Sequence, residues 1–335
     1  MNRLLLLSIL FTQIAWSQEI LLVDDNDYIT QNSDSIKNAL NASIYSGYDY
    51  YNISDLGGTS PTSDELLNYD LVIWYCSTDG SGLQLWNGDA TASGNGEIID
   101  YIIEEKPIWI IGSDMLFEVF NTPPDMLTSG DFAYDHMGIE SYNIQSYGDD
   151  GSLGVSQVDL SAGTPSTTFK DSILWSFATH WWVDGVTPRT GGINFYEMGP
   201  DAYALANEIT MFHYTEDLNN VMTTLFDPAL IDNQANTVAF LEAGITYLLP
   251  DDLGMEEESE PVTIYPNPTN ESFIIKNAKI NSEIKIYSSV GSLVQSSILS
   301  VENEFIDISN LEAGMYVINF EDQSGNVKNT NLIVQ

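Results

Sequence analysis

The chain is poor in cations, thiols and imidazoles. Only 9 Lys and Arg stand against 49 Asp and Glu, giving a formal net charge of −40 over 335 residues. Phosphate recognition needs clustered cations, so nucleic acid is excluded as a partner. An anionic membrane surface is disfavoured for the same reason. The imbalance comes from scarce cations and not from a dense acidic tail, which suits a protein kept soluble outside the cell. A single cysteine, Cys76, excludes an intramolecular disulfide, and with only 3 His it cannot complete a thiolate zinc site. Cys76 closes an apolar run, the setting of a buried and inert thiol.

What is present is ordinary in amount and informative in order. Hydrophobic residues make up 43% of the chain, a globular share, and the length suffices for two domains. Residues 1–17 carry the marks of a signal peptide: Arg3 at the positive start, a largely apolar stretch over 4–16, and Ala15-Trp16-Ser17 with small residues where cleavage needs them. That stretch is too short to stay in a bilayer and no second one follows. The mature chain is therefore expected to begin near Gln18, to leave the cytoplasm and to hold no transmembrane segment.

From there the pattern alternates. Strands are predicted over 19–23, 48–53 and 71–76, helices over 29–44 and 98–105, and one helical turn at 63–65. Asn32 or Ser33 is the expected cap of the first helix. The segment Pro107-Ile108-Trp109-Ile110-Ile111 is an unbroken apolar run that stops at Gly112-Ser113-Asp114. Such a run reads as a central strand of a parallel sheet covered on both faces. A flavodoxin-like three-layer α/β sheet is the economical arrangement, and in such sheets ligands bind just past the carboxyl ends of the strands.

Between about 121 and 219 the rhythm breaks into Gly-, Ser-, Tyr- and Asp-rich sequence with short alternating pieces at 172–177 and 193–198. This is read as an insertion of hairpins and coil lying over the strand ends. Strands at 211–214 and 221–226 and a helix over 234–248 close the domain, which spans 18–250. An acidic linker follows at 251–261. Residues 262–335 then hold seven short alternating strands, the pattern of a small Ig-like β-sandwich.

Three motifs in that last segment carry a resemblance: Tyr265-Pro266-Asn267-Pro268-Thr269-Asn270, then Ile284-Lys285-Ile286-Tyr287-Ser288 with Gly291, then Leu311-Glu312-Ala313-Gly314-Met315-Tyr316. Together they resemble the type A C-terminal sorting domain of the type IX secretion system. The resemblance implies passage across the outer membrane of a Gram-negative cell by the type IX machinery, its partner, and release or attachment at the cell surface. The end, Leu332-Ile333-Val334-Gln335, departs from the lysines usual there.

The first domain resembles known families less closely. Ile20-Leu21-Leu22-Val23-Asp24-Asp25-Asn26 with Asp70-Leu71-Val72-Ile73-Trp74-Tyr75 is similar to a response-regulator receiver, but Tyr75 stands where that family needs its phosphorylated aspartate. The layout resembles a divergent class I glutamine amidotransferase-like domain, whose nucleophile sits on an elbow after a central strand. Ser113 takes that place here. The family's Phe-His-Pro-Glu becomes Phe226-Asp227-Pro228-Ala229, so the resemblance implies a kept fold and a lost triad.

The candidate site residues follow from this layout. Ser113 and Asp114 read as a hydrolase nucleophile with its neighbour, or as a polar turn capping the next helix with help from Glu118. Asp24, Asp25 and Asp27 read as calcium ligands at the sheet edge, or as a solvated loop. His136, His180 and His213 share no ligand spacing and read as structural histidines, with His180 beside Asp184 the first to test by mutation. Trp181 and Trp182, taken as strand neighbours on opposite faces, place one ring outward near Asp184 and Arg189 for a sugar to stack on. No resident cofactor is expected. The leading expectation is a surface-delivered, non-catalytic binding or accessory module for an extracellular ligand such as a glycan. A hydrolase using Ser113 or a carboxylate-bound metal, and a structural envelope component, are the alternatives.

Overall fold

A computed structural model of the chain describes residues 19–26, 30–78, 80–165, 168–249, 263–276, 282–299, 305–321 and 327–335. The expected signal peptide, Asp27 and the acidic linker lie outside these residues. By its internal contacts the chain divides into two compact units, Met1–Pro250 and Asp251–Gln335.

The first unit begins with β1 (Ile20–Asp24), α1 (Thr30–Ala42), β2 (Asp49–Asn52), α2 (Ser63–Leu66), β3 (Leu71–Ser77), a 3-10 turn (Gln84–Trp86), α3 (Gly96–Ile102) and β4 (Ile108–Gly112). Every residue of β1, β3 and β4 is buried, which explains their unbroken apolar texture. Thr62 caps α2 through a complete capping box with Glu65, and Asn95 caps α3. Then come α4 (Phe117–Phe120), β5 (Asp125–Met126), α5 (Phe132–Asp135), β6 (Ile139–Gln145), β7 (Gln157–Leu160), β8 (Ser172–Leu174), β9 (Asp184–Pro188), β10 (Ile193–Gly199), β11 (Ile209–Tyr214), β12 (Val221–Thr224) and α6 (Gln234–Leu248).

Five strands run parallel in the order β2-β1-β3-β4-β12. Side chains alternate across them. Ile73, Tyr75, Trp109, Ile111 and Met222 face the layer of α1 and α6, whereas Val72, Trp74, Ile108 and Ile110 face that of α2 and α3. The sheet is thus covered on both faces.

The insertion differs from its expected form. It extends the same sheet in place of only lying over it: β11 pairs antiparallel with β12, and β10, β7 and β8 follow outward. A branch through β9, β6 and β5 completes twelve strands. The strands at β6, β7 and β9 escape a periodicity reading because Ser, Asn, Asp, Gln and Gly interrupt them. A buried polar residue on a strand is legible only through its partner, which lies elsewhere in the chain.

The second unit consists of β13 (Thr263–Tyr265), β14 (Ser272–Lys276), β15 (Glu283–Ser288), β16 (Leu293–Ile298), β17 (Phe305–Asp307), β18 (Gly314–Glu321) and β19 (Val327–Val334). They form two antiparallel sheets, ordered β13-β14-β17 and β16-β15-β18-β19. Phe273, Ile275 and Ile306 of the first sheet share one core with Ile284, Ile286, Ile318, Phe320 and Leu332 of the second. Of the motif residues, Tyr265 is exposed while Tyr316 is buried, its hydroxyl donating to the Glu312 carbonyl (2.8 Å). Asn267 straps the end of the chain: its Nδ2 donates to the Asn331 carbonyl (2.8 Å), and its Oδ1 accepts the Ile333 N–H (2.9 Å). Gly314 opens β18, in register with Val334. Pro266 and Pro268 flank Asn267 in the turn before β14.

Helix α6 meets the sheet closely at Gly244. A Cβ there would lie 2.2 Å from the Trp109 ring. Gly244→Ala is expected to lower stability by about 1–3 kcal/mol through overpacking, outweighing the helix-propensity gain of about 1 kcal/mol. A thermal melt checks this, and a raised Tm would contradict the packing described.

Candidate functional site

The carboxyl ends of the parallel strands finish in polar residues, and these bind one another. Asp227, three residues beyond β12's final pair with β4, is fully buried. Its Oδ1 accepts from the Tyr75 hydroxyl (2.8 Å) and the Ala229 N–H (2.9 Å). Its Oδ2 accepts from Ser77 Oγ (3.0 Å) and Asn32 Nδ2 (2.8 Å). Burial pushes its pKa up, and the hydrogen bonds pull the other way. The Asp227 N–H donates to His180 Nε2 (3.0 Å), while His180 Nδ1 bonds the Trp181 carbonyl (2.7 Å). With Nε2 accepting and Nδ1 donating, the imidazole is neutral, and burial lowers its pKa to about 4.

Asp24 and Asp25 are both buried but lie on opposite faces of the sheet. Asp24 accepts from Ser33 Oγ (3.0 Å) and the Tyr50 hydroxyl (2.5 Å), and burial raises its pKa. Asp25 accepts from Trp74 Nε1 (2.9 Å), Gln84 N–H (2.9 Å) and Leu85 N–H (2.8 Å), so it anchors the 3-10 turn. Successive strand residues diverge, and these two carboxylates do not converge on one ion. Among the described residues no group of three His, Cys, Asp or Glu is placed to hold a metal. Asn32 and Ser33, expected as caps, lie inside the first turn of α1 and act as cross-links to Asp227 and Asp24.

The elbow after β4 is displaced by one residue from its expected position. Asp114, not Ser113, adopts the left-handed backbone, with φ of 66°. Ser113 is fully buried, and its Oγ has no hydrogen-bond partner among the described residues. No imidazole reaches that hydroxyl, and substrate cannot reach it either. Neither residue caps the next helix: α4 starts after Leu116 without a side-chain cap. Glu118 accepts instead from the Gly82 N–H (2.6 Å). The Asp114 N–H donates to the Trp182 carbonyl (2.9 Å), and its carboxylate accepts from Gln145 Nε2 (2.7 Å). Gln145 Nε2 also donates to Asp184 Oδ1 (3.0 Å), which receives the Tyr142 hydroxyl as well (2.8 Å). Burial, then the charge of Asp114, push Asp184 up to about 7.

His180 and Asp184, taken together from the sequence, therefore serve separate networks. Trp181 and Trp182 are not on a strand: they precede β9, and Trp182 has φ of 64°, which breaks an extended run. The left-handed turn leaves Trp181 51% exposed and Trp182 half-buried. Tyr147 lies against both, with ring centroids 4.8 Å and 4.7 Å away. Arg189 is absent from this group, because its guanidinium stacks 4.3 Å from the Tyr134 ring centre. His136 and His213 bond Asn219 and Asn220 respectively. Sequence reasoning missed the roles of Asn32, Tyr75, Ser77, Gln145 and Tyr147. The available signal was a polar residue closing each of several apolar strands.

Residues 263–335 match the family model described as a secretion system C-terminal sorting domain. The tail is thus the sorting domain its motifs indicate, and the protein is secreted or held at the cell surface. The chain is 39% identical over 74 residues to β-agarase A of Zobellia galactanivorans, a match covering 22% of this chain and 13% of that protein's length. Among solved structures, a Bacteroides uniformis protein described as thua-like aligns with 71% of this chain and 93% of its own, at 7% identity and a TM-score of 0.42. PorZ of Porphyromonas gingivalis, a surface component of the type-IX secretion system, aligns with 25% of this chain and 12% of its own, at 21% identity and a TM-score of 0.22. Scores this low establish neither a shared fold nor a shared activity.

Asp184 gives a pH signature. Between its ordinary value near 4 and about 7, the folded chain holds a proton that the unfolded chain has lost. This carboxyl therefore lowers stability as pH rises across that window. Asp184→Asn is expected to make the slope of unfolding free energy against pH more positive there, by up to about 1.4 kcal/mol per pH unit. Denaturant titrations across the window read the slope directly, and parallel wild-type and variant slopes would contradict the burial assigned to Asp184.

Proposed function

We propose that the first unit is a non-catalytic binding module for a saccharide-like extracellular ligand, delivered to the cell surface by the sorting tail through the type IX machinery. The observation that carries this reading is the aromatic platform at the strand ends, Trp181 half-exposed and braced by Tyr147 and Trp182. A rigid, exposed indole offers an apolar face to a sugar ring at small entropic cost. The parallel order β2-β1-β3-β4-β12 supports a flavodoxin-like scaffold related to the amidotransferase-like group. The paired antiparallel sheets of the tail support an Ig-like sandwich.

The state of the polar groups favours binding over turnover. A nucleophile needs a base with a free lone pair within reach. Ser113 is sealed, and the His180 lone pair is engaged by a main-chain N–H. The divergence of Asp24 and Asp25 weighs against calcium there.

A glycan array followed by titration calorimetry on the full chain tests the proposal. Binding of at least one glycan is expected, weakened roughly tenfold or more by Trp181→Ala and unchanged by Ser113→Ala. Glycan turnover abolished by Ser113→Ala alone would restore the hydrolase reading. Binding indifferent to Trp181→Ala would remove the platform from the account.

A further inference from the structure

Behind the Trp181 platform, two carboxyls share one amide. Gln145 Nε2 donates one hydrogen to Asp114 Oδ1 (2.7 Å) and the other to Asp184 Oδ1 (3.0 Å). Asp184 is fully buried and Asp114 partly so, and no cation is paired with Asp184 among the described residues. We infer that this bridged pair is a proton-operated latch: it holds the aromatic cluster in place while the pair carries a proton and loosens it once both carboxyls are ionised, so that ligand capture at Trp181 is stronger on the acid side of neutrality. Resting on the reading of Trp181 as the binding surface, the latch sets the pH at which that surface is formed.

Each end of the bridge lies a short step from an aromatic ring. Asp184 follows Trp182 by two residues, and Gln145 precedes Tyr147 by two. Tyr147 in turn packs on both indoles. The Asp114 N–H donates to the Trp182 carbonyl (2.9 Å). The two segments are stitched between these points: the Ser146 N–H donates to the Val183 carbonyl (2.9 Å), and the Val183 N–H to Ser146 Oγ (2.9 Å). Asp114, Tyr147 and Trp182 all hold left-handed backbone, with φ of 66°, 69° and 64°. Non-glycine residues keep that conformation only where their surroundings impose it. Repulsion between the carboxyls is therefore delivered to three strained turns and to the rings they carry.

The groups around Asp184 are neutral donors or acids. The Tyr142 hydroxyl donates to its Oδ1 (2.8 Å) and the Leu116 N–H to its Oδ2 (3.4 Å). Asp149 accepts the Gln145 N–H (2.7 Å) and adds negative charge. Glu208, which lies against Gly185, is bound by Asn143 Nδ2 (2.8 Å), and Glu118 by the Gly82 N–H (2.6 Å). His180 is neutral above about pH 4, and Arg189 on β9 is stacked on Tyr134. Two like charges facing one amide disfavour the doubly ionised state, in line with the Asp184 carboxyl being pushed up to about 7. The buried carboxyl binds its proton more tightly than one in water, so proton uptake favours the held state. On ionisation the partly exposed Asp114 is driven toward solvent, and its grip on Trp182 goes with it.

Spectra of the ¹⁵N-labelled indoles in the full chain, taken from about pH 5 to about pH 9, test the latch without a ligand, with Trp181→Phe and Trp182→Phe assigning the signals. Both signals are expected to move together through one transition near neutrality. Asp184→Asn keeps the acceptor oxygen for Tyr142 and Gln145, and is expected to remove the transition and hold the acid-side spectrum throughout. Asp114→Asn, at a partly exposed position, gives a second reading should Asp184→Asn fail to fold: the transition is expected to move down by about one pH unit. Signals that stay flat in the wild type overturn the latch, and so does a transition unchanged in both variants. On the glycan array, wild-type signal is expected to be several-fold stronger at about pH 6 than at about pH 8.5, and equal at the two for Asp184→Asn. Equal wild-type signal at both overturns the link to capture. The indole readout needs no glycan, so loss of the latch and loss of the platform are separate results.

Discussion

One buried carboxylate ties the carboxyl edge of the parallel sheet together. Asp227 receives Tyr75 and Ser77 from β3, Asn32 from α1 and the Ala229 N–H from its own turn, and its main chain is bound by His180 of the insertion. A charge without those donors would not be tolerated at such depth. With them, a strand, a helix, the turn after β12 and the inserted segment are set relative to one another. The same residues occupy the place where enzymes of this general layout keep their reactive groups. Here their hydrogen-bonding capacity is directed inward.

What remains facing outward is shape and surface. The loop carrying His180 turns sharply at Trp182, whose carbonyl is held by the Asp114 N–H, and Trp181 is thereby presented at the strand ends. The network that quiets the acid–base groups is thus also the mount for the exposed indole. That mount depends on strands added beyond β12, outside the parallel core. The few cations fit this picture: Arg189 is stacked between tyrosines and has its weak ion-pair contact, 3.7 Å, with Asp217 at the surface.

β1, β3 and β4 were legible because they are buried on both faces and so carry largely apolar runs. α6 was legible over its full length, since Asn233 caps it and its apolar residues recur at helical spacing. The tail was legible through alternation and motif together. The insertion was not, because β6 and β9 bury Ser141, Gln145 and Asp184, and polar residues hide a strand from any periodicity. At the site, Asp227 stood out only as a replacement for a family histidine. Its true role depends on Asn32, 195 residues away, and no local pattern predicts that pairing. The elbow was misplaced by one residue because the left-handed turn falls on Asp114, a residue type that tolerates αL, while Ser113 continues the strand.

The central claim is that Asp227 and His180 at the strand ends are buried and engaged in one hydrogen-bond network, with the His180 imidazole held neutral. The most direct measurement is an NMR titration of the His180 imidazole in the intact chain. The account predicts an imidazole that stays neutral with Nδ1 protonated through the range where free histidine titrates, gaining charge only near pH 4. Titration at the ordinary value, near 6.5, would mean that the ring meets solvent and has a lone pair to offer, which would contradict it.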